Sequence, residues 1–430
     1  MAYTTIDDPS VYFQTFDYVG SLVQYTGMPG PGTTPCPGHP HTADLREFTM
    51  HGNSDIVPDL SYTKALETTS GIAEYGLFNA TGHGASWVNR STDAVNGNHN
   101  DVVVAYSDDS WTTSDGPWHG HGLNMSGTPY TNMVWYGSDS RGVLGDQATT
   151  GQGTGYGSGR LASYLAWWGS SIDVNTTSKF SRFSYSHGDS NPANYTYPKD
   201  SIEHGMGVKP EFFMIKSKRA SQRWVIYHKD MHTTPAQKYL RGDDDGTLLD
   251  NSANFDDKEP DTTTVYFGEQ TTSPQTGYTN VGPGSGHSGH WFFGWAGVQG
   301  YSKFGKYTGN GETVNGPFVH LGFQPSYIII KNVDSTGHWY EYTDAASHVS
   351  NTIEVDPYQV SNPNKNPQWA DTQDHEVDNT DLGINMLSNG FKVESGSSNT
   401  AINGDGDTMI YAAWAIVPFV TSTGIAGPGS

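Results

Sequence analysis

The stretch PSYIIIK at residues 325–331 has two relatives in the chain, PEFFMIK at residues 210–216 and PDLSYTK at residues 58–64. In each copy, apolar residues stand two and four places after a proline, and a lysine stands six places after it. Proline lacks an N–H and is tolerated at the first residue of a strand, and side chains two residues apart share one face. The pattern predicts a strand whose apolar residues face a core and whose lysine extends its ammonium into water.

The opposite face of these strands differs between the copies. It is apolar in the second and third copies, whereas Ser61 and Thr63 occupy it in the first. We therefore expect the second and third strands to be buried on both faces and the first strand to be buried on one face.

A second motif follows each copy, namely an aromatic residue, any residue, Ala or Gly, and then Trp. It occurs as YLAW at residues 164–167, FFGW at residues 292–295 and YAAW at residues 411–414. The aromatic residue and the tryptophan are three places apart and would point to opposite faces of a strand. The small residue leaves room for the indole. The motif predicts a central sandwich strand with its tryptophan in the core.

The repeated motifs predict an array of related domains. The chain has 52 Gly, 23 Pro and 13% aromatic residues, and it shows no sustained apolar spacing of 3.6, which favours an all-β fold. We expect three tandem β-sandwich modules, jelly-roll or lectin-like, behind an extended N-terminal arm. The predicted boundaries are an arm with a Gly/Pro-rich loop at 1–47, modules at 48–175, 176–302 and 303–420, and a flexible tail at 421–430. The first module carries a long insertion.

Charge and cysteine content exclude several classes of protein. Lys and Arg total 22 against 45 acids, a net charge of −23, which argues against nucleic acid as a partner. The single cysteine, Cys36, excludes an intrachain disulfide framework. Residues 1–8 lack the features of a secretory signal, and the longest apolar run, at 412–420, is too short to span a bilayer. We expect a protein made in a cytoplasm, without membrane insertion.

Five separated motifs carry a resemblance. They are AYTTIDDPSVYFQT at 2–15, GYSKFGKYTGNG at 300–311, GPF at 316–318, GFQP at 322–325 and LSNGFK at 387–392. Together they resemble a family of virion structural proteins of tailed bacteriophages, notably phages of marine bacteria and cyanobacteria. The resemblance covers the arm, the third module and much of the second, and residues 71–156 depart from it. It implies a virion surface component assembled in the host cytoplasm, and it carries over no catalytic residues.

The resemblance implies a non-enzymatic tail fibre or related appendage that displays its modules for attachment to host-surface glycans. Its partners would be other virion proteins of the tail or capsid, and it would form a homo-oligomer such as a trimer. One alternative is a capsid decoration or cement protein. A further alternative is a polysaccharide-degrading tailspike-type enzyme, which would need two carboxylates about 5 to 10 Å apart beside a sugar groove. The acids of this chain lie mostly in Gly/Asn/Thr-rich stretches that are typical of solvated loops.

Three groups of residues are candidates for binding. Exposed aromatic side chains hold sugars, and the candidates for glycan or receptor contact are Trp87, Trp111, Trp118, His119, His121 and Trp135. The arm would dock on the virion through Ile6, Tyr12, Phe13 and Phe16. No metal site is predicted outright, and calcium is the one candidate cofactor, at Asn403, Asp405 and Asp407, which place oxygen ligands at alternate positions. That loop lacks a later glutamate, and a plain hairpin turn explains it equally well.

Overall fold

The chain is described by a computed structural model over eighteen segments. They are residues 4–19, 46–49, 58–66, 77–80, 86–89, 103–106, 110–113, 129–136, 172–185, 200–217, 223–251, 254–268, 279, 290–344, 364, 367–371, 382–394 and 400–427. Within these segments the all-β prediction is confirmed, since nearly every regular element is a strand. A one-turn helix spans Thr400–Asn403, and no helix of the described segments is long and apolar enough to cross a membrane.

The strands are numbered in chain order. They are β1 Phe13–Val19, β2 Arg46–Thr49, β3 Pro58–Ala65, β4 Leu77–Ala80, β5 Ser86–Asn89, β6 Val103–Tyr106, β7 Ser110–Thr113, β8 Pro129–Tyr136, β9 Ile172–Asn175, β10 Phe180–Tyr185, β11 Asp200–Glu203, β12 Phe212–Ser217, β13 Val225–His228, β14 Lys238–Arg241, β15 Leu249–Asp250, β16 Thr264–Phe267, β17 His290–Trp295, β18 Ser302–Thr308, β19 Phe318–His320, β20 Phe323–Asn332, β21 Tyr340–Thr343, β22 Gln368–Trp369, β23 Gly383–Leu387, β24 Gly390–Glu394 and β25 Thr408–Pro418.

One strand order occurs three times. The large sheets are β1-β8-β3-β4-β5, β10-β17-β12-β13-β14 with β15 and β9 added at its two ends, and β18-β25-β20-β21-β22. Each large sheet has a small companion made from strands at the matching places in the chain, β2-β7-β6, β11-β16 and β19-β24-β23. The chain therefore contains three units of one topology, which we call unit 1 (13–136), unit 2 (172–295) and unit 3 (302–418).

The pairing register makes the units equivalent residue by residue. In each unit the residue two places after the proline lies opposite a tryptophan of the closing strand. These pairs are Leu60 with Trp135, Phe212 with Trp295 and Tyr327 with Trp414. Trp135 on β8, and not the YLAW motif at 164–167, thus closes unit 1. The YLAW motif lies outside the described residues.

Strand pairing groups the described residues of unit 1 differently from the predicted bounds of the first module, since β1 pairs with β8, whereas β9 pairs with β10 of unit 2. Strand β1 lies in the predicted arm, yet it pairs along its whole length with β8, with Phe13 opposite Trp135. Unit 1 therefore begins before residue 48, and its closing strand ends at Tyr136. The predicted boundary between the second and third modules, by contrast, falls at the start of β18, where unit 3 begins.

Each unit buries residues on two sides of its large sheet. In unit 3, apolar side chains such as Ile328, Ile330 and Phe391 fill the space between the large and small sheets. The other face of the large sheet belongs to a core shared with the other two units. The prediction that β3 is buried on one face was wrong, because Ser61 and Thr63 are buried as well. The Thr63 hydroxyl donates to Asn132 Oδ1 at 2.9 Å, which removes the cost of burying it.

Candidate functional site

Three equivalent tryptophans, one from each unit, meet at the centre of the molecule. The ring centroids are 5.8 Å apart for Trp135 and Trp295, 5.5 Å apart for Trp135 and Trp414, and 5.7 Å apart for Trp295 and Trp414. The near-equal distances between equivalent residues approximate threefold symmetry about a single axis. We call these three residues the tryptophan triangle.

Further aromatic rings surround the tryptophan triangle. The first strand of each unit contributes a phenylalanine, with Phe13 at 5.0 Å from Trp135, Phe180 at 5.2 Å from Trp295 and Phe304 at 5.5 Å from Trp414. All six side chains are buried. None of the three indole N–H groups has a hydrogen-bond partner among the described residues. The centre of the molecule is therefore held by apolar contact and ring packing.

The repeated lysines do not reach water, contrary to the prediction. Lys64, Lys216 and Lys331 are all buried. Lys331 Nζ donates across a unit boundary to the carbonyl of Asp245 in unit 2 at 3.0 Å, and Lys64 Nζ of unit 1 donates to a carbonyl of unit 3, that of Trp369. Burial lowers the pKa of Lys331 to about 8, although nearby aspartates oppose the change. Lys64 and Lys331 therefore connect units, whereas the ammonium of Lys216 lies over the ring of Trp224 in its own unit.

The turn of unit 2 that accepts a hydrogen bond from Lys331 is rich in aspartate. A turn of unit 3 makes an equivalent hydrogen bond, in which an aspartate accepts the backbone N–H of a tryptophan. Asp243 Oδ1 accepts the backbone N–H of Trp224 at 3.1 Å, and Asp371 Oδ1 accepts that of Trp339 at 2.9 Å. The indole N–H of Trp339 in turn donates across the boundary to the carbonyl of Arg241 at 2.7 Å. The aspartates near 243 therefore organise an interface between units.

A neutral histidine makes a hydrogen bond across the boundary between units 2 and 3, near the tryptophan triangle. His228 of unit 2 is buried, and its Nε2 lies 3.1 Å from the carbonyl oxygen of Tyr411 in unit 3. Its Nδ1 accepts the backbone N–H of Asp230 at 3.1 Å. Burial lowers the pKa of His228 to about 3, against a weaker effect of its hydrogen bond to Tyr411. The imidazole therefore stays neutral over the physiological range.

A buried carboxylate accepts hydrogen bonds at the boundary between units 1 and 3. Glu341 of unit 3 is buried and accepts the hydroxyls of Tyr62, from unit 1, at 3.2 Å and of Tyr327 at 2.5 Å. At the edge of this boundary, the Thr15 hydroxyl of unit 1 donates to Asp344 Oδ1 at 2.8 Å. The two boundaries of unit 3 thus use different polar groups.

Asp17 lies on the same face of β1 as Thr15. Burial raises the pKa of Asp17 to about 7, and the charge of Asp344 adds to this effect against a hydrogen bond from Thr131. A buried aspartate with a pKa near 7 is a group that can exchange a proton at neutral pH.

The predicted glycan-binding residues have different outcomes. The prediction for Trp135 was wrong, since this side chain is 3% exposed and lies in the tryptophan triangle. Trp87 lies on β5, an edge strand of the unit 1 sheet, and Trp111 lies on β7, the middle strand of the small sheet. Trp118, together with His119 and His121, lies outside the described residues, so these positions stay predictions.

The predicted docking arm is part of the molecule's own core. Ile6 and Phe13 are each 2% exposed, and Tyr12 packs edge-on against Tyr301 with ring centroids 6.0 Å apart. Phe16 is half-buried. These side chains are covered by the same chain, so a free extended arm that docks through them was a wrong prediction.

The predicted flexible tail is also anchored. Ser422 donates its backbone N–H to Asp7 Oδ1 at 2.5 Å and its hydroxyl to the other oxygen of the same carboxylate. Thr4 donates its hydroxyl to the carbonyl of Gln299 at 2.6 Å. Residues 4–12, 296–301 and 420–426 thus gather where the closing strands β17 and β25 end after Trp295 and Trp414, and we call this region the tryptophan end.

Three apolar side chains stay exposed at the tryptophan end. Ile416 is 42%, Phe419 is 38% and Ile425 is 67% exposed. Val420 and Ala426 pair in a short hairpin that places Phe419 and Ile425 on one face, since side chains alternate along each strand. The exposure of these residues was missed from the sequence. Ile416 and Phe419 lie in the predicted third module, and the composition of the tail that carries Ile425 gave no sign that it folds.

The three calcium candidates are not brought together as ligands. The Asn403 amide is buried and exchanges hydrogen bonds with Asn310 at 3.0 and 3.1 Å. Asp407 Oδ2 accepts the amide of Asn332 at 2.8 Å, and Asp405 is exposed. Protein donors hold this turn, as expected for a hairpin. In the described segments no group of three or more His, Cys, Asp or Glu side chains is placed to hold a metal.

Four of the five motifs of the resemblance lie in or directly before unit 3, and the first leads into β1 of unit 1. Gly300 has a φ of +81° and passes so close to Thr4 that a side chain would overlap it. The Asn389 carbonyl accepts the backbone N–H groups of Leu321 and Gly322 at 2.9 and 3.1 Å, which joins the LSNGFK and GFQP motifs. The described motif residues therefore make turns and close packing.

Comparison with known proteins gives one match. The model of a family described as a domain of unknown function, DUF7483, matches residues 49–418. The match begins at the last residue of β2 and ends with β25, so it contains β3 to β25 in full. No curated protein and no solved structure matches the chain.

Proposed function

The chain belongs to the DUF7483 family, and we propose that it is a non-enzymatic structural protein of a bacteriophage virion surface, a tail fibre or related appendage. The family description carries no activity, so the proposal rests on the resemblance of the five motifs and on the architecture. The observation that carries it is the closure of three β-units around the tryptophan triangle within one chain. Such a body is suited to presenting loops from a rigid scaffold.

The equivalent residues of the three units support a scaffold role. The tryptophans contact one another, and two of the lysines, Lys64 and Lys331, donate to carbonyls of a neighbouring unit. The motif glycines make tight turns and close backbone contacts. In an enzyme that had evolved by repetition, we would expect some of these recurrent polar residues to face a cleft. Here they are used to hold units together.

The tryptophan end and the loops beyond the buried lysines suggest two different roles. The tryptophan end gathers three chain segments and exposes Ile416, Phe419 and Ile425, of which Phe419 and Ile425 share one face; exposed apolar patches mark contact surfaces. We propose that this end faces the rest of the particle. The strands that contain the repeated lysines, β3, β12 and β20, are called the proline strands after the proline six residues before each lysine, and their lysines, Lys64, Lys216 and Lys331, form the lysine layer. These lysines stand four residues after the residues that pair with the tryptophan triangle, about 13 Å along the strands. We propose that loops beyond this layer face outward and that host-surface glycans are their ligands.

The expected homo-oligomer cannot form around the axis of the tryptophan triangle, so its subunits have to meet through other surfaces. Three identical chains could not close around the tryptophan triangle, because the three units of one chain already fill it. A trimer of this protein would therefore pack through the outer faces of its units or through the tryptophan end.

Asp17 and Asp344 are the specific reason to test the enzymatic alternative. Burial raises the pKa of Asp17 to about 7, and the charge of Asp344 adds to this effect. Asp344 accepts the hydroxyls of Thr15 and Ser326 at the boundary between units 1 and 3, and Asp17 accepts the hydroxyl of Thr131 within unit 1. We propose that the pair is structural and that the purified chain releases no reducing ends from host polysaccharide.

The proposal is tested on purified particles of the phage that encodes the chain. Quantitative mass spectrometry should detect it at a few copies per particle, and antibody labelling should place it on the tail. Many copies per particle with label over the head would instead support the capsid decoration protein. Absence of the chain from particles would overturn the structural role, and release of reducing ends by wild type but not by Asp17→Asn would establish the enzyme.

A further inference from the structure

His228 holds the boundary between units 2 and 3 in a way that only the neutral imidazole can. Its Nδ1 lies 3.1 Å from the backbone N–H of Asp230, which has a proton to donate and cannot accept one. Its Nε2 lies 3.1 Å from the Tyr411 carbonyl, which can only accept. The proton therefore sits on Nε2. A second proton, on Nδ1, would face the N–H of Asp230 and break that contact.

The charges around His228 do not compensate a positive imidazole. In unit 2, Lys229 follows it directly, and the Lys229 ammonium lies 3.2 Å from Glu211 and 3.9 Å from Asp230, which ties up both nearby carboxylates. From unit 3, Lys306 on β18 and the phenol of Tyr411 on β25 face the same region. Both lysines lower the pKa of His228, beyond the effect of burial. Phe212 covers the ring on its own sheet.

We propose that His228 is an acid-sensitive latch, so that uptake of a proton by its imidazole opens the boundary between units 2 and 3 before the units themselves unfold. The opened state would hydrate the imidazolium and expose the apolar face around the tryptophan triangle. This inference concerns the chain by itself and does not depend on the proposed virion role.

The opposite end of the same boundary supplies natural reporters. The backbone N–H of Gly337 in unit 3 donates to the Asp245 carbonyl in unit 2 at 2.9 Å. The Trp339 indole N–H donates across the boundary as well, to the carbonyl of Arg241. By contrast, the Ala370 backbone N–H donates to the Trp339 carbonyl at 2.8 Å within unit 3. Opening exposes the first two N–H groups and leaves the third protected.

Hydrogen exchange of the full chain at pH 7.5 and pH 5.0 tests the latch. Each pH unit below the free histidine pKa of about 6.5 should favour the open state about tenfold. After correction for intrinsic rates, exchange at Gly337 and at the Trp339 indole should rise about thirtyfold at pH 5.0, while exchange at Ala370 stays constant. Equal corrected rates at the two pH values for the boundary reporters would overturn the proposal.

Two variants separate His228 from the other groups that titrate. In His228→Gln the side chain keeps a donor and an acceptor but takes up no proton, so the acid response of the reporters should be lost. The matched control is His204→Gln. His204 is buried in unit 2 with the same pattern, Nδ1 accepting from Met206 N–H and Nε2 facing the Asp261 carbonyl, but its partners lie in the same unit. Its variant should keep the wild-type response, and an acid response that survives in His228→Gln would refute the latch.

A measurement on the wild type covers the case in which His228→Gln does not fold. Nitrogen chemical shifts of the imidazole should report the Nε2–H tautomer at pH 7.5, and His228 should gain its proton only together with faster exchange at Gly337. Protonation of His228 near pH 6.5 with Gly337 still protected would overturn the proposal.

Discussion

Replacing Trp414 with alanine should lower the free energy of unfolding by about 3 to 5 kcal/mol, the range for deleting a large aromatic from a core. Trp414 is 1% exposed and has ring contacts within 6 Å to both other tryptophans of the triangle, as well as to Phe304 and Tyr327. Its indole N–H has no partner in the described part of the chain. Removing an unpartnered buried donor recovers part of the loss, so we expect a value near the lower limit.

Urea unfolding followed by far-UV circular dichroism measures this change. Trp369→Ala is the matched control, because Trp369 is half-buried on β22, where it stacks on His338 with centroids 4.2 Å apart. The control substitution should lower the free energy of unfolding by less than half of the change for Trp414→Ala. If the free energy of unfolding of Trp414→Ala lies within 1 kcal/mol of the wild-type value, or falls no further than that of the control, the tryptophan triangle does not hold the units together.

A double-mutant cycle tests the contact between units directly. Trp135 and Trp414 belong to different units and lie 5.5 Å apart. Their alanine variants should show a coupling energy on the order of 1 kcal/mol, as contacting residues do. Additive losses would mean that units 1 and 3 do not meet at these rings.

The remaining predictions concern the polar boundaries and one turn. The pKa of Lys331 is about 8 in the folded chain and 10.5 ordinarily, so the folded chain should bind fewer protons than the unfolded chain between these two pH values. Urea titrations should therefore show the free energy of unfolding rising with pH in that window, by up to about 3 kcal/mol. The variant Lys331→Met should lack this rise. Tyr62→Phe removes a donor to the buried Glu341 carboxylate and should cost about 1 to 3 kcal/mol by the same titration; a neutral result would contradict the contact. Gly309→Ala would overlap a backbone carbonyl and should lower the melting temperature by several degrees, whereas Gly337→Ala meets nothing within 4 Å and should melt like the wild type.

The sequence predicts the strands well but not what their polar residues contact. The proline strands were found from local alternation, which depends only on the two faces of a strand. The same reasoning placed Lys331 in water, because a lysine at the end of an apolar run is normally a surface residue. One of its two acceptors, the Asp245 carbonyl, lies in another unit, and no local pattern contains that information.

Unit 1 was misassigned for a related reason. The closing-strand motif requires a small residue before the tryptophan, and Val134 stands at the position of Gly294 and Ala413. In unit 2 the glycine is needed because a Cβ there would overlap the ring of Phe292, a constraint set by a neighbouring side chain. A search on pairing partners of the proline strand would have found Trp135, whereas a search on the motif selected residues 164–167.

One chain with three units can give each boundary its own chemistry, which three identical subunits cannot. The position of His228, opposite Phe212 on the proline strand, is occupied by Thr343 in unit 3 and by Ala80 in unit 1. Among the three equivalent positions, only that of unit 2 carries an ionisable side chain. Protonation there would open one boundary, while the Tyr62 contact between units 1 and 3 has no histidine to respond. Acid should therefore open the ring of units at one joint and leave the other units attached, which a symmetric trimer with the same histidine in every subunit could not do.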